Sequence, residues 1–480
     1  MLRRIAELEA ELAAQKERYA ALEAVVATKD AQIAELSKQV KDLLERLNQN
    51  SGNSSKPPSS DPPSTRAKRH MKRKGKSGLK RGGQPGHEGS NRPLLPVEEV
   101  DKVVELFPPI CENCNAKLPE TADPDATRYQ TTELPPIKPF TTEFRVHAVT
   151  CPGCKFRTCA AHDQVPLFPF GPRLSAMVAL LTGVYHVSRR GAVSLLHDMV
   201  GVRISLGAVS AIEARVSAAV APAVAEAWKK VVHAAVKHAD GTSWYLSGAL
   251  LSLWTIATTV ATVFKILANG KMETLKALFS EKRGILVSDR ATALTFWAME
   301  RRQICWAHLL RKFISFSELG GPAGAIGHEL LEYMGVMFAY WDAVKTEKLG
   351  REEFRRLMIP VRAQLEAVLQ RAVALAIAPV SGSCADILEH RLALWTFVDR
   401  DDVEPTNNHA ERELRAFVLW RRRSFGTQSE RGNLFAERVM TVAHTARKQG
   451  VNVLAFLVDC CTAAREGRTT PSLFKRADAA

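Results

Sequence analysis

The sequence predicts a multidomain protein of mixed α and β structure (α+β or α/β), in which a long N-terminal helix precedes several compact regions. Three observations lead to this fold class: a seven-residue apolar repeat near the N-terminus, two Cys-x-x-Cys motifs, and two apolar strands that each end in an aspartate. The 480 residues suffice for about two to four domains with a large core. Hydrophobic residues make up 46% of the chain, which excludes wholesale disorder.

Residues 1–50 predict a coiled-coil oligomerisation helix, because apolar residues recur at heptad spacing and no Gly or Pro interrupts them. The a positions are Ile5, Leu12, Tyr19, Val26, Ile33, Val40 and Leu47, and the d-position leucines are Leu8, Leu22, Leu36 and Leu43. β-branched residues at a with Leu at d favour a parallel homodimer, although a higher oligomer stays open. The alternative is one long amphipathic helix that packs on its own chain.

Residues 51–97 predict a basic, disordered linker that is rich in Ser, Pro and Gly. Between Lys56 and Arg92 there are eleven Lys or Arg and two acidic residues, so a net charge of +9, out of +15 for the chain, lies in this stretch. We expect it to bind the DNA phosphate backbone without reading sequence; the alternative is a solvated tether without a ligand. The candidate DNA-binding residues are Lys68, Arg69, Lys72, Arg73, Lys74, Lys76, Lys80 and Arg81.

Residues 98–165 predict a zinc ribbon. Two Cys-x-x-Cys turns, 36 residues apart, offer four thiolates for a tetrahedral structural Zn²⁺. The predicted ligands are Cys111, Cys114, Cys151 and Cys154, with Cys159 and His162 as spare candidates. Reduced metal-free thiols or a redox pair are the alternatives.

Residues 166–228 predict a helical, helix-turn-helix-like region. Two helical patterns flank Gly201, and Ser205 is placed to cap the second helix. A DNA reader and a helical hairpin that serves packing are equally compatible with this pattern.

One stretch, Ser247–Phe264, carries no charge over 18 residues. Its β-branched and hydroxyl residues favour a buried β-hairpin over a membrane span. The N-terminus lacks the apolar core of a signal peptide. We therefore expect a cytoplasmic protein without a membrane partner.

Two apolar strands end at Asp240 and Asp289, which would place both carboxylates at one edge of a mixed sheet. Such a pair is costly unless a cation offsets it, which predicts Mg²⁺ or Mn²⁺. The third acid is expected to be Glu411 at a helix start, whereas Glu413, two residues later, faces elsewhere and is interpreted as a solvated or capping carboxylate. The arginines that follow, expected to contact phosphates, are Arg412, Arg415, Arg421, Arg422 and Arg423.

Over nearly its whole length the chain resembles the TnpC-type DDE transposases of the IS66 insertion-sequence family. Besides the heptads and the cysteine pairs, the shared segments are NSSKPPSSD, KRGGQPGHEG, HADGTSW, ILVSDRATAL, CWAHLLRKF and NNHAERELR. The resemblance implies an RNase H-like catalytic core with Asp240, Asp289 and Glu411 as its triad, and DNA strand transfer at terminal inverted repeats. It also implies helper proteins of the same element and a nucleoid-associated location in a bacterium.

The predicted core is discontinuous: residues 229–314 hold its first part, 315–398 an all-helical insertion, 399–425 the helix with the third acid, and 426–480 a C-terminal helical region. Cys305 and His308 match a C-x-x-H element of related cores and are interpreted as structural or substrate-positioning. The family often has Glu after the first aspartate, where this chain has Gly241. The predicted mechanism is phosphoryl transfer with two divalent ions; a non-enzymatic DNA-binding regulator and a metal-dependent nuclease without strand transfer are the alternatives.

Overall fold

The fold is taken from a computed structural model, which describes residues 2–54, 61, 93–161, 163, 165–279, 281–378 and 380–474. The predicted linker contacts from Lys68 to Arg81 and the spare ligand His162 lie outside the described residues.

The N-terminal region forms one helix, α1 (Leu2–Asn48). Every side chain from residue 11 to residue 37 is exposed, including the heptad positions Ile33 (60%) and Leu36 (59%). Over residues 11–37 the helix therefore does not pack on the described part of its own chain, which is evidence against a self-packed helix in this stretch.

The segment after α1 differs from the predicted linker, which was expected to start at residue 51. Ser51 donates through its backbone N and its Oγ to the Asp61 carboxylate at 2.7 and 2.6 Å, and both residues are buried. Asn53 donates through Nδ2 to Glu318 at 2.7 Å. Hydrophobic periodicity could not predict this arrangement, because Ser51 and Asn53 are held by polar hydrogen bonds and not by apolar packing.

Residues 93–171 contain a short 3₁₀ turn (Val97–Glu99) and one small hairpin, formed by β1 (Ala148–Thr150) and β2 (Arg157–Cys159) around the second cysteine pair. Nearly all side chains of this region are exposed.

A helical layer follows, and it is built from both ends of the remaining chain. Its first part is α2 (Pro172–Ala179, continued by a π turn Leu180–Val184), α3 (Arg189–Val200), α4 (Leu206–Ala219) and α5 (Ala221–His233). Its second part is α14 (Glu430–Lys448) and α15 (Val453–Arg465). Residues of both parts, such as Ile212 and Val439, share one apolar cluster.

The predicted helix pair around Gly201 is confirmed in its local geometry. Gly201 ends α3 with φ +67°, and Ser205 Oγ accepts a hydrogen bond from Ala208 N at 3.1 Å. However, α4 buries Val209, Ile212 and Val216 in the helical layer. Of the two interpretations that the sequence left open, this burial favours the packing hairpin.

The central element is a five-stranded mixed sheet with strand order β5-β4-β3-β6-β7. The strands are β3 (Val236–Leu246), β4 (Ala249–Ala257), β5 (Thr262–Leu267), β6 (Ile285–Ser288) and β7 (Arg302–Ile304), with α6 (Met272–Leu278) between β5 and β6. β3, β4 and β5 pair antiparallel, whereas β6 and β7 run parallel to β3. The predicted hairpin over Ser247–Phe264 is thus confirmed as β4 and β5. Two 3₁₀ turns, Thr292–Leu294 and Met299–Arg301, lie between β6 and β7.

In the described part of the chain, no single helix is long and apolar enough to cross a membrane; the bent pair Leu206–Ala219 and Ala221–His233 passes that test by length and composition only.

Six helices follow β7 and cover part of the sheet. They are α7 (Trp306–Ser317), α8 (Gly321–Lys345), α9 (Arg351–Ala374), α10 (Val380–Glu389), α11 (Arg391–Leu394) and α12 (Thr396–Asp399). Their apolar residues form one cluster with Ile285, Val287 and Ile304 of the sheet. Gly327 lets α8 approach α7, because a Cβ there would lie 2.2 Å from Ser317 N.

The chain then returns to the sheet through α13 (Asn408–Ser424). Leu414, Phe417 and Trp420 of this helix pack on Trp244 of β3 and Phe264 of β5. The fold therefore brings the start of α13 to the middle of the sheet, next to β3.

Candidate active site

Asp240 and Asp289 lie side by side on neighbouring parallel strands. β3 and β6 pair Val236 with Ile285 and His238 with Val287, so the same register continued by two residues places Asp240 opposite Asp289. Residues two apart share a face of the sheet, and adjacent strands are about 4.8 Å apart. The two carboxylates therefore face the same space.

Local hydrogen bonds hold each aspartate. Asp240 Oδ1 accepts from Gly241 N at 2.9 Å, and Asp289 Oδ1 accepts from Ala291 N at 3.0 Å. A Cβ at Gly241 would lie 2.9 Å from the ring of Trp254. Gly241, where the family often has Glu, thus fits this structure sterically, because Trp254 occupies the space that a side chain at position 241 would need.

Glu411 joins the pair from the first turn of α13. The pKa of Asp240 is raised from 3.8 to about 8, first by burial of the carboxyl group and then by the negative charges of Asp289 and Glu411. Glu411 Oε1 is buried and has no hydrogen-bond partner among the described residues. The structure therefore brings the three predicted acids together, in an arrangement that a cation would relieve.

Asn407 fixes the start of α13 beside Asp240. It is fully buried; its Nδ2 donates to the Ala239 carbonyl at 2.8 Å and its backbone N donates to Cys305 Sγ at 3.1 Å. Its Oδ1 lies 3.3 Å from His238 Nδ1. Although Asn407 stands at the N-cap position of α13, its side chain makes no cap hydrogen bond.

Cys305 and His308 border the same space. One ligand atom each from Cys305, His308 and Glu411 lie within 4.8 Å of one another, the only such group of three found in the described part of the chain. His308 Nδ1 is 3.5 Å from Glu411 Oε1. Burial raises the pKa of the Cys305 thiol to about 11, which disfavours the thiolate that metals bind. This favours the structural or positioning interpretation.

The interpretation of Glu413 as a solvated or capping carboxylate is wrong. Its side chain is 15% exposed, its Oε1 is 3.2 Å from Lys448 Nζ, and its Oε2 contacts His444 Nδ1. Burial would raise the pKa of Glu413, but the His444 hydrogen bond and Lys448 lower it to about 2. The available signal was the i, i+4 spacing of His409 and Glu413 on α13 and of His444 and Lys448 on α14.

The predicted arginines of α13 divide into two groups. Arg421 donates to Thr242 Oγ1 at 3.0 Å and to the Ser243 carbonyl, so it anchors α13 on β3. The four others have exposed side chains: Arg412, Arg415, Arg422 and Arg423.

The two cysteine pairs form matching turns. Asn115 N donates to the Cys111 carbonyl, and Lys155 N donates to the Cys151 carbonyl, each at 2.9 Å. Backbone N–H groups of the turn, that of the second cysteine first, lower the pKa of Cys111 and of Cys151. All four cysteines lie in the described part of the chain, but their Sγ atoms are not close enough to one another to hold one metal ion. The two turns are thus alike in geometry, but the two cysteine pairs are not brought together.

Residues 168–434 match the family described as "Transposase IS66 family". Residues 2–93 match a family of unknown function, DUF6444. No curated protein matches the chain. The first match covers more than half of the chain and includes the sheet, the inserted helices and α13 with Glu411. The chain therefore belongs to the IS66 family of transposases.

Proposed function

We propose that the protein is a DDE-type transposase that cleaves DNA at the inverted-repeat ends of its element and joins these ends to target DNA. The observation that carries the proposal is the meeting of Asp240, Asp289 and Glu411 on one face of the sheet, within the family match. A DNA-binding protein without catalysis has no need for a buried carboxyl group, Asp240, beside two further carboxylates that raise its pKa.

The order of the sheet supports an RNase H-like core. With its five strands counted along the chain, the order across the sheet is 3-2-1-4-5, with three antiparallel strands followed by two parallel ones. This is the arrangement of RNase H-like folds. Asp240 lies in the first strand, and Asp289 directly follows the fourth strand, which is the parallel neighbour of the first.

The acids fit two Mg²⁺ or Mn²⁺ ions. All three offer carboxylate oxygens, the ligands that these hard cations prefer, and Glu411 Oε1 has no hydrogen-bond partner within the described ranges. When bound, the cations would stabilise the charge on the attacking and leaving oxygens of the phosphodiester. Asp240 and Asp289 would hold them, and Glu411 would complete one coordination sphere.

The reaction itself consists of two displacements at phosphorus. Water attacks the phosphorus at the element's end, the bond to the 3′ oxygen breaks, and a 3′-hydroxyl is released. That hydroxyl then attacks a target phosphodiester and displaces its 3′ oxygen, so one bond forms for each that breaks. Asn407 would position the acids through Ala239 and Cys305, and we assign Cys305 and His308 to positioning as well.

Cys111, Cys114, Cys151 and Cys154 are proposed to bind a structural Zn²⁺. The support is the lowered pKa of the first cysteine in each turn, because zinc binds the thiolate. Zinc binding would then join two turns that are separate in this structure.

A joining assay separates the proposal from its two alternatives. Purified protein is incubated with Mg²⁺ and DNA that carries the terminal repeats found beside the coding sequence, with and without the proteins encoded next to it. We expect both cleaved ends and ends joined to a plasmid. Cleavage without joining would identify a nuclease, and binding without either would identify a regulator.

Oligomerisation through α1 is proposed because two transposon ends must be held in one assembly. Ile33→Asp places a charge in the apolar seam and should convert the oligomer to a monomer, as measured by analytical ultracentrifugation. Ala31→Asp adds the same charge at an f position and should leave the mass unchanged. Equal masses for the wild type and both variants would exclude this seam as the interface.

The basic segment is proposed to contact DNA phosphates. Replacing Lys72, Arg73 and Lys74 by Gln should weaken binding to any sequence and reduce the slope of log K against log salt by about 0.9 per lost contact. Lys345, Lys348 and Arg356 are exposed residues of the inserted helices and their connecting loop, so their triple Gln variant is the control. An unchanged slope in the first variant would remove this segment from the DNA contacts.

A further inference from the structure

A separate cavity, which is lined in part by cations, adjoins the three acids. A cavity of about 280 Å³ beside Asp289 is lined by Arg290, His308, Arg311, Lys312 and Ser54, among others. Three of these residues are permanently charged cations, and they come from the loop after β6 and from α7. Asp289 and Asp386 also line the cavity, so its described lining holds three cations and two carboxylates.

Ser54, which follows α1 in the chain, also lines the cavity. Ser54 Oγ donates to the Asn50 carbonyl at 2.6 Å, which keeps the turn Asn50–Ser54 closed. Asn53, bound to Glu318, fixes this turn just after the last residue of α7. The turn Asn50–Ser54 is thus fixed next to the cavity, and its Ser54 forms part of the lining.

Two of these cations lie near acidic side chains. Arg290 pairs with Asp386 of α10, and Arg311 Nη2 lies 3.9 Å from Glu411 Oε1. Arg311 Nε is buried without a hydrogen-bond partner in the described structure. Buried unpaired donors are costly, and a ligand with several anionic oxygens would satisfy them.

A phosphate group is such a ligand. Arginine presents several N–H donors in a planar fork that matches phosphate oxygens, and a neighbouring lysine adds a point charge. We propose that this cavity is a subsite for one backbone phosphate of the DNA strand, held by Arg311 and Lys312 and closed by the turn at Ser54. The inference rests on the proposed function, since it takes the DNA strand to lie across the triad.

The test uses the salt dependence of binding to a duplex of unrelated sequence, because a phosphate contact does not depend on sequence. Lys312→Gln should lower the slope of log K against log salt by about 0.9. Lys348→Gln is the matched control: it removes one exposed lysine beyond the far end of α8, whose 25 residues span about 37 Å. Equal slopes for the wild type and Lys312→Gln would overturn the subsite.

Replacing one backbone phosphate at a time by an uncharged linkage locates the phosphate that Lys312 contacts. Single methylphosphonates are placed along a duplex that carries the terminal repeat, which fixes the register of binding, and one position should weaken wild-type binding several-fold but leave Lys312→Gln binding unchanged. If every position affects both proteins equally, Lys312 contacts no phosphate and the subsite is wrong. Neither measurement needs catalysis, so wild-type protein that shows both effects but never cleaves would sink the proposed function and support the subsite.

Discussion

Replacement of Asp240 by Asn is expected to abolish DNA cleavage and joining while leaving DNA binding nearly unchanged. The substitution keeps the size and the Gly241 contact of the side chain but removes a charge that the bound cations need. Asp289→Asn and Glu411→Gln should behave in the same way. Gel assays of cleavage and joining, alongside binding measurements, check this; wild-type cleavage by any one variant in Mg²⁺ would show that the residue is misassigned.

Asp240→Asn should also change how the stability of the protein depends on pH, which replacement of a merely structural carboxylate would not do. The pKa of Asp240 is about 8 in the folded protein, against 3.8 for an ordinary aspartate. Between these two pH values the metal-free folded protein therefore holds a proton that the unfolded chain has lost. Its stability should therefore fall as pH rises from about 4 to 8. Asp240→Asn should remove this fall, and saturating Mg²⁺ should reduce it in the wild type.

Melting temperatures measured from pH 5 to 8.5, with and without Mg²⁺, test this expectation. Asp342→Asn, a change of the same type on an exposed side chain (73%), is the control and should keep the wild-type pH dependence. Identical pH profiles for the wild type and Asp240→Asn would contradict the coupling of the three acids.

Replacement of Glu413 by Ala is expected to destabilise the protein by about 3–5 kcal/mol, because it leaves a buried charge without its partner. Lys448 Nζ is 3.2 Å from Glu413 Oε1, and the two side chains are 13% and 15% exposed. Burial lowers the pKa of Lys448, and the negative charge of Glu413 offsets part of this lowering. The low pKa of Glu413 and the short distance both indicate an ionised pair at neutral pH.

The control for this prediction is a variant that removes both charges. Glu413→Gln combined with Lys448→Met should be more stable than Glu413→Ala, since no uncompensated charge remains. Urea denaturation with an unchanged m-value gives the comparison. If Glu413→Ala loses less than about 1 kcal/mol, the pair behaves like a surface ion pair.

The sequence predicted those parts of the site that depend on local pattern. Two apolar strands that end in aspartate identified Asp240 and Asp289, and the helix start in NNHAERELR identified Glu411, which the fold places beside them. The uncharged stretch before Phe264 likewise predicted a hairpin. These features are visible in sequence because each follows from the spacing within one element.

The parts that the sequence did not predict depend on pairing between distant elements. Glu413 meets Lys448 and His444 across two helices, and Asn407 turns inward to Ala239 instead of capping its own helix. The anchoring of Asn53 on Glu318 joins residues 265 positions apart. Sequence periodicity does not reveal such contacts, because the sequence around each partner is typical of the helix or turn in which it lies.

The helical layer has a consequence for synthesis of the protein. Val178 and Ile212 of its first half are buried with Val439 and Phe456 of its second half, so a nascent chain exposes this apolar surface until its last helices leave the ribosome. A product that ends before α14 would lack the side chains that cover it. Premature termination should therefore yield an aggregating fragment instead of a shortened enzyme.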